Sequence, residues 1–198
     1  MSIVPDIETL VRTVEPEPLI SVEEAKAHLR VDGNDEDGYI ALLIAAVGSI
    51  LDGDKGRCGL PLVTQSWKKT FYPRYGLPIK IAVPNIQSIT SIKYYDSANT
   101  QITVTLADWT FAIDEDCALI WPDNETLPTL YDRWDCFEVV FVAGYGDASA
   151  VPAEIRHAAL LIIGDLYEKR EGNALDVSPN ILSAVDILLS NRRKGWVG

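Results

Sequence analysis

Apolar positions recur at helical spacing near the two ends of this chain and at alternating spacing through its middle. Ile40, Leu43, Ile44, Val47, Ile50 and Leu51 follow three- and four-residue steps, which predicts one continuous helix. A shorter helix is predicted before it, roughly Val22 to Arg30. Ser21 opens that helix: its oxygen can accept a backbone N–H of the first turn while Glu24 reaches back, the reciprocal pattern of a capping box. The run "DGNDED" breaks it and places acidic residues at the next helix start, where they face the positive end of the dipole. Gly53, Gly56 and Gly59 then end the second helix. Toward the other end, Pro152 suits a first helical turn, and Ile155, Ala159, Ile162, Ile163 and Leu166 form the next stripe, with Gly172 marking its end. Ser178 and Pro179 open a last helix whose stripe is Ile181, Ala184, Val185 and Leu188.

Between Leu60 and Gly146 the texture changes. The segments "QSWKKTFY", "PIKIAV", "ITSIKYY", "ITVTL", "DWTFAID", "CALIWP" and "CFEVVFVAG" are rich in Ile, Val, Thr and aromatic residues. Turn residues separate them: Pro73, Gly76, Pro84, "DSANT", "DED" and "PDNETLP". "YYDSANTQITV" reads as a hairpin. Short strands at this spacing predict an antiparallel sheet or small sandwich.

Neither helical end can bury its apolar face alone, so the economical solution packs the two ends on each other. The expected fold class is α+β: an antiparallel helical bundle formed by the N- and C-terminal segments, with an inserted antiparallel β-sheet or small sandwich. The expected organisation is an extended N-terminal arm at 1–19, a discontinuous bundle at 20–59 and 147–189, a β-rich insertion at 60–146 and a basic tail at 190–198. Pro5, Pro16 and Pro18 forbid a stable helix across the arm, which is expected to be extended and either disordered in isolation or ordered only by a neighbouring subunit.

Composition narrows the function. The chain of 198 residues is 47% apolar, enough for a real core, and its formal net charge is -12. Such acidity repels phosphate backbones and argues against sequence-specific nucleic-acid binding. The longest apolar stretch, "YIALLIAAV", is well short of the ~20 residues that cross a bilayer, and the acidic start "MSIVPDIETLVRTVEPEP" lacks the pattern of a secretory signal. A cytosolic product without membrane association is expected. Cys58, Cys117 and Cys136 form no CxxC pair and read as small hydrophobes in a reducing compartment.

Chemistry-bearing motifs are scarce. His28 and His157 fall inside predicted helices with no second His or Cys at ligand spacing. No GxSxG, P-loop, GxGxxG or HExxH occurs. "GYGDAS" lacks the lysine and glycine spacing of a phosphate cradle and reads as a turn. Carboxylates cluster in "DGNDED" and "DEDC"; the first does not match an EF-hand loop and reads as a solvated helix start, and "NET" at Asn124 fits a glycosylation acceptor that a cytosolic product would not use. No catalytic, metal or cofactor residue is assigned. The strongest local contrast is the tail "NRRKGWVG": Arg192, Arg193 and Lys194 form a basic cluster on an acidic protein, followed by Trp196. Basic residues suit a helix C-terminus, but Arg beside Trp is also the composition of a binding anchor, and that is the reading favoured here.

"SVEEAKAHLRVDGNDEDGYIALLIAAVGSILDGDKGR" resembles the opening of the head–tail connector, or adaptor, proteins of long-tailed bacteriophages. The elements that carry the resemblance are Glu23 to Val31, Asp35 to Ile40, and Gly56 with Arg57. "VAGYGDASAVPAEIRHAALLIIGDLYEKRE" is similar to the second half of the longer members, with Phe141 where many have an aromatic residue. The resemblance covers most of residues 20–172, is weak in the strand region and does not reach the arm.

The resemblance implies a structural protein, not an enzyme. Such connectors form a ring, commonly twelvefold, beneath the portal. They extend the DNA channel and provide the platform for a stopper, tail-terminator or tail, and phage-derived gene transfer particles use similar proteins. The implied partners are other copies of the chain, the portal and the stopper or tail-terminator protein. DNA would pass through the lumen without sequence-specific binding, and no cofactor is implied. The implied place is the neck of a virion or phage-like particle, after synthesis in the bacterial cytoplasm. In the family, C-terminal segments reach the portal, which would make Arg192, Arg193, Lys194 and Trp196 the portal anchor. Ring subunits make head-to-tail contacts, so two different faces must be sticky.

Two other readings compete. A monomeric binding module could use aromatic residues of the insertion, such as Trp109, Trp121 and Trp134, to recognise a peptide or carbohydrate. Carboxylate-only catalysis needs just two acids at the right separation, and no spacing here points to a pair.

Overall fold

The computed structural model describes residues 7–169 and 177–190. Among them are four α-helices and two antiparallel sheets, so the fold class is α+β. The chain divides into two compact units. One holds residues up to Glu15 together with Thr64–Gly144; the other holds Pro16–Val63 and resumes at Tyr145.

The first unit is all β. Its five-stranded sheet has the order β1 (Thr9–Val14), β2 (Gln65–Phe71), β8 (Phe137–Ala143), β4 (Ile86–Tyr95), β5 (Gln101–Thr103). Its three-stranded sheet has the order β3 (Ile79–Ile81), β7 (Ala118–Pro122), β6 (Trp109–Ile113). Strict alternation along β8 buries Phe137, Val139, Phe141 and Ala143 on one face. The two sheets meet there: the Trp109 ring of the smaller sheet lies 6.0 Å from that of Phe137, and the Phe71 ring of the neighbouring strand lies 5.6 Å from it. Two register shifts in β4 leave Gln87 and Thr90 as extra residues. Each satisfies a neighbour, Gln87 donating to the Gly144 carbonyl at 2.9 Å and Thr90 to that of Val140 at 3.0 Å. The expected hairpin joins β4 to β5, with Asp96 Oδ1 accepting from the N–H groups of Ala98 and Thr100 and Asn99 left-handed at φ 60°.

Part of the stretch expected to stand apart as an arm is a strand of this sheet. β1 pairs antiparallel with β2, Thr9 opposite Thr70 and Val11 opposite Lys68. Arg12 lies over the Trp67 ring at 4.9 Å, and Lys69 pairs with Glu8 at 2.7 Å. Prolines on both sides exclude a helix but leave an edge strand free to pair.

The second unit is helical: α1 (Val22–Leu29), α2 (Asp37–Leu51), α3 (Ala153–Glu168) and α4 (Pro179–Leu189). The helices from the two ends of the chain share one core. It includes Ile20, Ala25, Ile40, Val47, Leu51, Ile155, Ala159, Ile162, Ile163, Val185 and Leu189. Burying the Ile, Val and Leu side chains among these stabilises by about 1.5–3 kcal/mol each, which is what holds the distant ends together. Pro152 sits at the N-cap position of α3, one place before the first helical turn. The Gly172 expected to end α3 lies outside the described residues.

Candidate assembly surfaces

The residues that carry the ordered motifs of the helical unit are mostly ties between its helices. Ser21 Oγ accepts from the Glu24 N–H at 3.1 Å, but the Glu24 carboxylate does not complete the capping box. It turns instead to α3, where Arg156 Nη2 donates to both of its oxygens at 2.7 and 2.8 Å. Lys26 reaches across to the start of α2 and donates to Asn34 at 2.9 Å and Asp37 at 2.8 Å. The Tyr167 hydroxyl donates to the Glu36 carboxylate, and its ring sits 6.2 Å from that of Tyr39. Arg57 donates from Nε and Nη2 to Asp186 Oδ1 on α4, at 2.9 and 2.6 Å. Gly56 beside it is required by space, because a Cβ there would lie 2.3 Å from the Asp52 carbonyl oxygen.

Ser178 behaves like Glu24. Its hydroxyl caps nothing in its own helix and donates to Asp165 Oδ1 on α3 at 2.5 Å, while its N–H donates to Oδ2 at 2.8 Å. Burial pushes the Asp165 carboxyl up, but the Ser178 hydroxyl and N–H and the Lys169 ammonium outweigh it, and the group sits below the usual range. Asp147 is lowered by the Ser149 hydroxyl and the N–H groups of Ala150 and Ser149, which it holds in a 3-10 turn; "GYGDAS" is thus a turn. Asp114 is lowered mainly by the N–H groups of Asp116 and Cys117, and Asp135 mainly by Arg133. Each of these four carboxyls lies below its ordinary value, held there by hydrogen bonds or an ion pair that favour the charged form.

The other candidates take bland places. His28 on α1 and His157 on α3 are exposed. Among the described residues no group of three His, Cys, Asp or Glu could hold a metal ion, and no helix is long and apolar enough to cross a membrane. Trp109 is core, and Trp121 and Trp134 are half-buried, so the three do not form an exposed aromatic platform. An open groove of about 650 Å³ beside β5 and β6 is lined in part by Ile102, Trp109, Leu127 and Asp123. Its Asp123 accepts from the Thr110 hydroxyl at 2.7 Å. Arg192, Arg193, Lys194 and Trp196 lie outside the described residues.

The surface feature that the sequence reading missed is on the helices. α2 turns Gly38, Ala41, Leu42, Ala45 and Ser49 to solvent, and α4 turns out Asn180, Ser183 and Ile187. Leu42 is 64% exposed and Ile187 75%. The signal was present in the sequence: no charged residue occurs from Gly38 to Leu51.

No protein-family model and no curated protein matches the chain. Solved structures do. A chain of the neck of an empty gene transfer agent (GTA) particle, computed with C6 symmetry, superposes with a TM-score of 0.70 at 22% identity, covering 96% of this chain and 97% of that one. This chain has the fold of a GTA neck chain. A chain of the native GTA virion superposes at 0.65 and 22% identity over the same shares of both chains. A chain of the native GTA neck computed with C12 symmetry gives 0.59 at 20% identity, over 94% of this chain and 97% of that one. The shared fold therefore spans both units rather than the helical unit alone.

Proposed function

We propose that the chain is a structural head–tail connector, or adaptor, subunit in the neck of a phage or phage-like particle, and not an enzyme. Copies form a ring under the portal, lengthen the DNA channel and present a docking platform to the stopper or tail. The observation that carries this reading is the fold shared along nearly the whole chain with chains of GTA necks. The symmetries with which those necks were computed, C6 and C12, favour a ring, with twelve copies as the expected number. The net charge of -12 suits a conduit past which a polyanion must slide. The helix-to-helix ties suit a body that must hold its shape while neighbours grip it.

The basic tail is assigned to the portal. Arg192, Arg193 and Lys194 supply charge and Trp196 an aromatic anchor, and that charge contrasts with the acidic body.

The test is genetic and structural. Deleting the gene in its host should leave filled heads and free tails that do not join, and restoring it should rejoin them. Locating the subunit in a reconstruction of the neck supplies the ring order. Purified particles that lack the protein, or that join without it, would overturn the reading. Removing residues 190–198 should give a folded protein that fails to enter portal-containing heads; normal entry would refute the anchor.

A further inference from the structure

Two uncharged stripes face outward on different helices of the same unit. On α2 the stripe is Gly38, Ala41, Leu42, Ala45 and Ser49, with Gly48 half-exposed along it; on α4 it is Asn180, Ser183 and Ile187. The outward faces of α1 and α3 carry Glu23 and His28, and Glu154, His157 and Glu168, as expected on a chain with 17 basic and 29 acidic residues. Both helices pack on α3, and the acid of each is engaged within the unit, Asp37 at the start of α2 by Lys26 and Asp186 of α4 by Arg57.

Gly48 sharpens the contrast. Its backbone is ordinary helix without positive φ, and an added Cβ would meet nothing within 4 Å. Gly38 is the same. Neither backbone conformation nor packing within the chain requires glycine at either position, although glycine weakens a helix relative to alanine. What glycine does supply is a low surface on which another helix can approach closely.

We propose that the α2 stripe of one copy packs against the α4 stripe of the next, in a head-to-tail contact that repeats around the ring; this rests on the neck reading above. A closed ring needs two different, complementary surfaces on each subunit. The small residues Gly38, Ala41, Ala45 and Gly48 form a floor for Ile187, and Leu42 covers the small polar residues of α4. Loss of charge at the centre of the contact is the compositional mark of such an interface. Both halves lie on this chain, so the occupant is a second copy. An α2-to-α2 contact would close at two copies and leave Ile187 bare.

The test is disulfide trapping in particles purified from the host, in a Cys117→Ser background. Leu42→Cys with Ile187→Cys in one chain should, on oxidation, give a ladder of covalent oligomers on a denaturing gel, while each single variant stays monomeric. Both sites are exposed, and circular dichroism checks folding. Particles that contain the double variant but yield only monomer overturn the interface and leave the neck reading standing. Dimers from either single variant also overturn it, because they mark a symmetric contact. Absence of the wild-type protein from particles removes the neck reading and this inference together. As a second readout, Gly48→Ala should lower incorporation at least several-fold although the isolated protein folds; unchanged incorporation counts against the contact.

Discussion

Arg156 on α3 is bonded through one nitrogen to both carboxylate oxygens of Glu24 on α1, across 132 residues of sequence. The side chains are 30% and 33% exposed, so solvent screens much of the attraction. Arg156→Ala is expected to cost about 1 kcal/mol in urea unfolding of the full chain, with a double-mutant coupling to Glu24→Ala of about 0.5–1 kcal/mol. A coupling near zero would make the pair incidental to the joining of the two ends.

How much of this was legible depends on how local the signal is. Alternation and turn chemistry are local, and the seven segments from "QSWKKTFY" to "CFEVVFVAG" each overlap a strand, though β4 starts before "ITSIKYY" and β5 covers only the start of "ITVTL". β1 was not marked, because "TLVRTV" buries no residue fully and its flanking prolines speak only against helix. The side chains of Glu24 and Ser178 were assigned to their own helix ends, as local rules direct. Both are spent on α3, which a local rule cannot see. On α2 the period was read for its buried stripe, while the opposite stripe is uncharged too and needs the burial pattern to reveal it. The basic tail gave a functional expectation from composition alone, outside the described residues.

Ser21 retains the half of the capping box that was expected. Ser21→Ala should therefore cost about 1 kcal/mol by releasing the Glu24 N–H, measured by thermal or urea unfolding. Glu24→Gln should leave this cap intact, because the bond is to the Glu24 backbone and not to its side chain.

Asp165 predicts a sign for the acid limb of stability. Its folded carboxyl lies below the usual range, so in the window between the folded and unfolded values the unfolded chain binds more protons. Its contribution is complete above the unfolded value of about 3.9 and is lost as pH falls through the folded value. Asp165→Asn should be less stable than wild type near neutral pH, and its unfolding free energy should fall less steeply below about pH 4. Parallel acid limbs in the two proteins would refute this assignment.

The thiols should separate by burial. Cys136 is fully buried and its thiol is pushed up to about 11, mainly by desolvation. Cys58 is also buried, whereas Cys117 is half-exposed, its thiol raised by burial and by Asp114. Iodoacetamide at about pH 8, near the ordinary thiol value, should label Cys117 alone and slowly in the folded protein. All three should label in urea, as read by peptide mass spectrometry. Fast labelling of Cys136 in the native state would contradict its packing beside the Phe71 carbonyl.

The two faces of α2 should answer oppositely to substitution. Ile40 is fully buried in the helical core, and Ile40→Ala should cost about 2–5 kcal/mol through lost contacts and the cavity left behind. Gly48 opens onto unoccupied space, so Gly48→Ala should stabilise the isolated protein by about 0.5–1 kcal/mol through helix propensity alone. Urea unfolding of the two variants beside wild type measures both signs. A stabilising alanine at Gly48 would mean that the isolated fold does not set the residue there, leaving the neighbouring copy as the source of the constraint. A destabilising alanine would show that the chain's own packing demands the glycine, and would remove the main physical reason for placing the ring contact on this face.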